Sequence, residues 1–272
     1  MAEVQLATGR RLFYDDSGAG AGPPLLLLMG GGESRRLWAR QTPALASGFR
    51  VLAPDHRDSG ESPPEPAGAA YTAADLAGDA VALLDALGVP RAHVAGTSMG
   101  GLVALQLALD HPARVARLAL LSTPVGGVPL PVPPRETWSD DHADWIRGLF
   151  PQLAAPGHFE AHPGALEALA ALGRANRLTY AGLVRQLAVL GGFDARGRLG
   201  EVRAPTLVVV GDHDPLIPLA AAEATAAALP AAELAVIPGA GHLAFLERAE
   251  EVNRVIRDFL GDAAVGPAGA GP

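Results

Sequence analysis

Three short segments carry the residues able to do chemistry. Gly96-Thr97-Ser98-Met99-Gly100 fits the pattern G-x-S-x-G, in which a serine sits on a tight strand-to-helix turn. A serine hydroxyl is a poor nucleophile near neutral pH and needs a base within hydrogen-bonding reach. Of the 8 histidines, His242 in Pro238-Gly239-Ala240-Gly241-His242 is the expected base, because its loop comes after the last expected strand and precedes the C-terminal helix. The orienting acid should directly follow the strand expected at 206–210, and Gly211-Asp212-His213-Asp214-Pro215 offers two carboxylates there. Asp214 is preferred, since Asp-Pro favours extended or turn backbone and Pro218 stiffens the loop beyond it; Asp212 is the alternative. Serine, acid and histidine then come in one of the chain orders known for such a triad.

The chemistry also needs donors for a developing oxyanion. The backbone amides of Met99, just after the serine, and of Gly31, in the run Gly30-Gly31-Gly32 after an early apolar strand, are expected to supply them. Gly32, Trp38, Trp138 and Trp145 are expected to touch substrate, with the aromatic side chains walling a pocket for an apolar group. The glycine run lacks G-x-G-x-x-G and does not read as a dinucleotide site. Asp55-His56-Arg57-Asp58-Ser59-Gly60-Glu61-Ser62 does not place two metal ligands on one helical face and reads as a hydrogen-bonded loop bracing the site. His93 is expected in the core, His111 and His213 in turns, and His142, His158 and His162 at the surface. Neither a metal nor a cofactor is expected.

Positioning these segments requires a particular scaffold. A hairpin is expected across Thr8-Gly9, then buried strands at 25–29, 50–53, 92–95, 117–121, 206–210 and 235–237. Helices are expected at 72–87, with Thr72 as N-cap and Gly88 as stop, and at 101–109, 223–229 and 250–260. Strands alternating with helices imply an α/β fold with a mostly parallel, twisted sheet flanked by helices. Residues 124–200 break the rhythm with a proline-rich start and helices expected at 136–149, 163–174 and 177–190. They read as a helical cap inserted after the sixth strand, over the edge where open α/β sheets bind ligands. The expected division is a core of 1–123 and 201–260, a cap of 124–200 and a disordered tail of 261–272.

Composition removes other classes of function. The 272 residues are 49% hydrophobic and 18% charged, as a dense core requires, and the net charge of -8 speaks against nucleic acid. Cysteine is absent and all 21 basic residues are arginine, which excludes thiolate and lysine chemistry. The first residues show no basic-then-apolar leader, and the apolar run at 25–29 falls far short of the roughly 20 residues that span a bilayer. A cytoplasmic protein with no membrane partner, monomeric or homodimeric, is expected.

The segments 25–31, 55–60, 96–100, 213–215 and 237–242 together resemble aclacinomycin methylesterase and its relatives, members of the α/β-hydrolase superfamily in which Met-Gly-Gly replaces a commoner His-Gly. The stretch 71–123 is also similar to 3-oxoadipate enol-lactonases. The resemblance covers about residues 4–123 and 200–260, and the cap departs from both. It implies Ser98, Asp214 and His242 as the triad, Gly31 and Met99 as the oxyanion hole, and a small-molecule carboxylic ester or lactone as substrate. The same triad also serves cofactor-free perhydrolases (haloperoxidases) and C–C bond hydrolases.

Overall fold

The computed structural model describes residues 1–18, 20 and 22–261. Strand β1 (Ala2–Gln5) pairs antiparallel with β2 (Arg11–Ser17), turning through Gly9 at φ +83°. β2 in turn pairs antiparallel with β4 (Arg50–Pro54). From there the sheet is parallel: β3 (Pro24–Leu28), β5 (Ala92–Thr97), β6 (Val115–Leu121), β7 (Thr206–Gly211) and β8 (Ala232–Ile237) complete the spatial order β1-β2-β4-β3-β5-β6-β7-β8.

The continuous apolar runs explain this arrangement, because a parallel strand covered on both faces must be apolar on both. In β3, Leu26 and Leu28 enter one hydrophobic cluster while Leu25 and Leu27 enter the other, each fully buried. Helices α2 (Ala73–Ala86) and α3 (Met99–Asp110) cover the first face. The second is covered by α1 (Gln41–Leu45), preceded by a 3-10 turn at Arg35–Arg40, and by the C-terminal helix Ala249–Gly261. Thr72 and Asp75 form a reciprocal capping box at the start of α2, and Gly88 ends it at φ +65°.

Between β6 and β7 lie α4 (His142–Leu153), α5 (His158–Ala161), α6 (Pro163–Gly173) and α7 (Tyr180–Gly192). α4 starts later than the periodicity suggests because the Asp141 carboxylate caps it on the Ala143 amide. Thr179 likewise delays α7 by accepting from Gly182. The single turn of α5 is too short to leave a periodic signal. After β7 come α8 (Leu219–Ala228), α9 (Ala244–Glu247) and α10, the Ala249–Gly261 helix named above. Gly261 therefore belongs to a helix rather than to a tail, and 262–272 lie outside the described residues. Among the described residues no helix is long and apolar enough to cross a membrane.

Candidate active site

β5 passes into α3 through Ser98, whose backbone sits at φ 52° and ψ -119°. A residue with a side chain held there costs about 1–3 kcal/mol, and persists only where its surroundings over-determine it. Here the Ser98 amide extends the β5–β6 ladder to Leu121 O at 2.9 Å, and the Gly101 and Leu102 amides donate back to Ser98 O. A Cβ at Gly96 would run into the Gly100 carbonyl, and one at Gly100 into the carbonyls of Leu28 and Met29. Only glycine lets α3 begin pressed against the end of β3. The result is a half-buried hydroxyl at the head of a helix, where the first amides have no acceptor inside the helix.

The turn after β3 lies against this head. An ideal Cβ at Gly30 would stand 3.5 Å from Ser98 Cβ, and one at Gly31 would stand 3.4 Å from Met99 Sδ. The buried His56 ring fixes the turn by donating from Nε2 to Met29 O at 3.1 Å. Burial pushes its pKa down to about 4, so the ring is neutral, with its proton on the nitrogen that faces the carbonyl. Gly32, at φ +81°, is held on both sides of its residue from the helical insert. Its amide donates to Gln186 Oε1 at 2.6 Å, and its carbonyl accepts from Asn176 Nδ2 at 2.8 Å.

Asp214 and His242 come together from the loops after β7 and β8. Both Asp214 oxygens lie 3.0 Å from His242 Nδ1, and Oδ1 also accepts from the Leu216 and Ile217 amides at 2.9 Å. Burial pushes the Asp214 carboxyl up, but these hydrogen bonds outweigh it and hold the group below the usual carboxylate range. Asp212 is turned elsewhere, bonding His213 Nδ1 at 2.7 Å and the Gly239 amide at 2.8 Å. The close approach of the two loops depends on Gly211, where a Cβ would strike the Ala240 and Gly241 carbonyls.

Glu247 ties this corner to the insert. Its carboxylate accepts from the Gly241 amide at 3.0 Å and from the Ala155 amide at 2.8 Å, while the His242 amide donates to Leu153 O at 2.8 Å. Burial pushes the Glu247 carboxyl up despite those donors.

Ser98, His242 and Gly31 line one cavity of about 300 Å³, walled largely by apolar side chains such as Leu149, Phe150 and Leu187. Trp145 lines it as expected. Trp138 does not: it sits over an adjoining groove, its ring 5.9 Å from that of Trp145 and 5.9 Å from that of Tyr180. Trp38 is a correction. It is 1% exposed, packs on Phe245 with ring centroids 5.0 Å apart, and belongs to the core behind the cavity, because the unforeseen 3-10 turn at Arg35–Arg40 folds it inward. Gly32 is outside the cavity lining too, its backbone engaged by the insert. Sequence reasoning overlooked Glu33, which lines the cavity, and took His142 for a surface group although it is 2% exposed and bonded to Glu33 Oε2 at 3.1 Å. His142 shares the buried face of α4 with Ile146 and Phe150 at four-residue spacing, a signal that was available, whereas Glu33 lies in a loop without a period.

The segment 55–62 forms a floor beneath the loop. Asp55, fully buried, pairs with Arg35 and accepts from the Arg35 and Glu61 amides; burial nevertheless raises its pKa. Asp58, at φ 64°, accepts from Arg185 at 2.7 Å and from the Tyr71 hydroxyl at 2.9 Å, so it too ties the floor to α7. Among the described residues no group of three or more His, Cys, Asp or Glu is placed to hold a metal ion.

An eight-stranded, mostly parallel sheet with a serine on such a turn defines a class, and the chain belongs to it: the α/β-hydrolase fold family, whose model matches residues 23–159 and 164–249. The protein is a hydrolase of that family. It is 35% identical to a protein of Variovorax paradoxus named as a carbamate hydrolase, RutD, over 92% of this chain and 96% of the relative. It is 32% identical to 2-hydroxy-6-oxononadienedioate/2-hydroxy-6-oxononatrienedioate hydrolase 2 of Pseudomonas putida, over 92% of this chain and 91% of that one. Among solved structures, the enol-lactonase from Burkholderia xenovorans LB400 superposes with a TM-score of 0.84 at 28% identity, covering 96% of this chain and all of that one.

Proposed function

We propose that the protein hydrolyses a carboxylic ester or lactone of a small, largely apolar substrate through an acyl-enzyme. The observation that carries this reading is the pairing of His242 Nδ1 with Asp214 on the rim of the cavity that also holds Ser98. With Nδ1 engaged, Nε2 is the nitrogen left to take a proton. Ser98 Oγ attacks the carbonyl carbon as His242 Nε2 accepts the hydroxyl proton, and the ionised Asp214 stabilises the imidazolium. The amides of Met99 and Gly31 receive the charge that develops on the carbonyl oxygen. Collapse breaks the bond to the alcohol oxygen, which leaves with the proton from His242. A water molecule, deprotonated by the same ring, then releases the acid. The structural likeness to an enol-lactonase supports the lactone side of the reading. The Pseudomonas putida relative supports a second reading, C–C bond hydrolysis with the same three residues.

Turnover of p-nitrophenyl esters and labelling by a fluorophosphonate test the proposal. Ser98→Ala is expected to abolish both. Asp214→Asn should lower kcat by roughly 10⁴-fold, by analogy with the loss of the correct imidazole tautomer in other triads, while Asp212→Asn stays near wild type. Full activity in the serine variant rules the proposal out, and the reverse ranking of the two aspartates reassigns the acid.

A further inference from the structure

Helix α4 carries two stripes of side chains. His142, Ile146 and Phe150 are buried at four-residue spacing. Trp145, Leu149 and Gln152, spaced by four and three, share a second face of the helix; Trp145 and Leu149 are half-buried there and Gln152 is exposed. All three line the cavity that holds Ser98 and His242. The same three line the adjoining groove of about 310 Å³, together with Pro133 and Trp138. The two spaces therefore abut along this stripe.

Its members are held unequally. The Trp145 ring lies 5.9 Å from the Trp138 ring, and its Nε1 would stand 3.3 Å from a Cβ on Gly32. Gln152 folds back along the helix, donating from Nε2 to Gly148 O at 2.7 Å. Leu149 stands between them at the edge of the core, held by apolar packing alone. The cavity lining contains no arginine, and the chain has no lysine. Arg57 and Arg185, from the floor and α7, are taken up by Asp79 and Asp58. A carboxylate at the far end of a substrate would be buried there without a counter-ion, a cost that an alkyl end does not meet.

We infer that this stripe is an end stop: Trp145, Leu149 and Gln152 set the longest uncharged chain a substrate carries, and Leu149 is the residue that decides it. The inference rests on the reading of the cavity as the hydrolytic site. A chain attached to the carbonyl group at Ser98 fills the apolar space until it meets the stripe. Each methylene that stays inside is worth about fourfold in kcat/KM, and the first that does not fit meets a packed wall. Trimming Leu149 opens the cavity to the groove, where Pro133 and Trp138 offer a longer chain an apolar surface.

Two ester series test the end stop: p-nitrophenyl esters from acetate to tetradecanoate vary the acyl side, and acetates from ethyl to dodecyl vary the alcohol side. In the wild type, kcat/KM is expected to rise with length in one series and then drop about tenfold or more past one length. Leu149→Ala should carry that break about two to three carbons further, the length its side chain loses. Leu149→Phe should bring the break nearer, and it keeps the test open if the alanine variant does not fold. Leu187→Ala, which trims the cavity wall away from the groove, should leave the break in place. A wild-type profile without a break in either series, a break unmoved by the Leu149 variants, or equal lengthening in Leu187→Ala overturns the end stop. Calorimetric binding of alkan-2-ones from pentan-2-one to tetradecan-2-one separates it from the hydrolytic reading. A length limit in ketone binding that moves in Leu149→Ala, with no ester turned over, supports the end stop and sinks the hydrolytic assignment. Turnover of the esters with the same break in every variant does the opposite, and the absence of both turnover and ketone binding overturns both.

Discussion

The sheet edge and the helices laid across it are held in different ways. At the sheet edge, Ser98, Asp214 and His242 are fixed largely by backbone meeting backbone: Gly96, Gly100 and Gly211 sit where no Cβ fits, and ladder amides extend to Ser98 and Ser122. The insert has backbone bonds to the core, from the Arg177 amide to Gly60 O and from the His242 amide to Leu153 O, but much of its attachment is by side chains reaching over long stretches of sequence. Gln186 donates to Arg57 O and Ser59 Oγ while accepting from Gly32, and Arg185 grips Asp58. Asn176 bridges Gly32 and Gly60. A backbone fit is all or nothing, whereas a set of side-chain tethers loosens one member at a time. On the proposed chemistry, the edge sets what reaction is possible, and the tethers set how faithfully the insert and the loop at 30–32 are held for it.

The sharpest way to break this contrast is to add one methyl group in each region. Gly100→Ala forces a Cβ into the Leu28 carbonyl and is expected to cost more than about 4 kcal/mol, as severe backbone strain does. Gly148→Ala in α4, where nothing lies within 4 Å, should stabilise by about 0.5–1 kcal/mol through helix propensity. Urea denaturation of both variants decides the matter, and equal effects would erase the distinction.

The next effect is on acid stability. His56 is neutral in the folded protein, with a pKa of about 4, against about 6.5 unfolded. Between those values the unfolded chain binds a proton that the native one refuses, so stability falls as pH drops from about 6.5 to 4 and levels off below. A shift of that size is worth roughly 3 kcal/mol. His56→Gln should flatten this part of the stability profile; a slope that persists unchanged assigns it to other groups. Removing a tether should do less. Gln186→Leu leaves the Gly32 amide buried without its acceptor, at about 1–3 kcal/mol, and lowers kcat by displacing the neighbouring Gly31 amide. Unfolding curves and initial rates measured together check both halves, and a stability loss with kcat untouched would detach the roof from the chemistry.

The same contrast explains what could be read from the sequence. The sheet was legible because buried parallel strands must be apolar throughout, and the turn at Ser98 because only glycines permit it. The expected acid was narrowed to two neighbours, Asp212 and Asp214, of which Asp214 pairs with His242 while Asp212 bonds His213 and the Gly239 amide. The attachments of the insert were not legible. Asn176, Gln186, Glu33 and His142 satisfy groups more than 100 positions away, and no local periodicity records such a pairing. Trp38 misled for a related reason: an indole beside a glycine-rich loop suits a pocket wall or a core equally well until the short turn at Arg35–Arg40 chooses.

One corner of the molecule joins the two regions outright. Glu247 bridges the Gly241 and Ala155 amides and the His242 amide is bound to Leu153 O, so the end of α4 and the histidine loop are tied together. Lifting the insert on that side would pull on His242, the base in the proposed reaction. On the proposed chemistry, entry beside His242 would therefore compete with bond cleavage, whereas the proline-rich segment bearing Leu130 and Pro131 also borders the cavity.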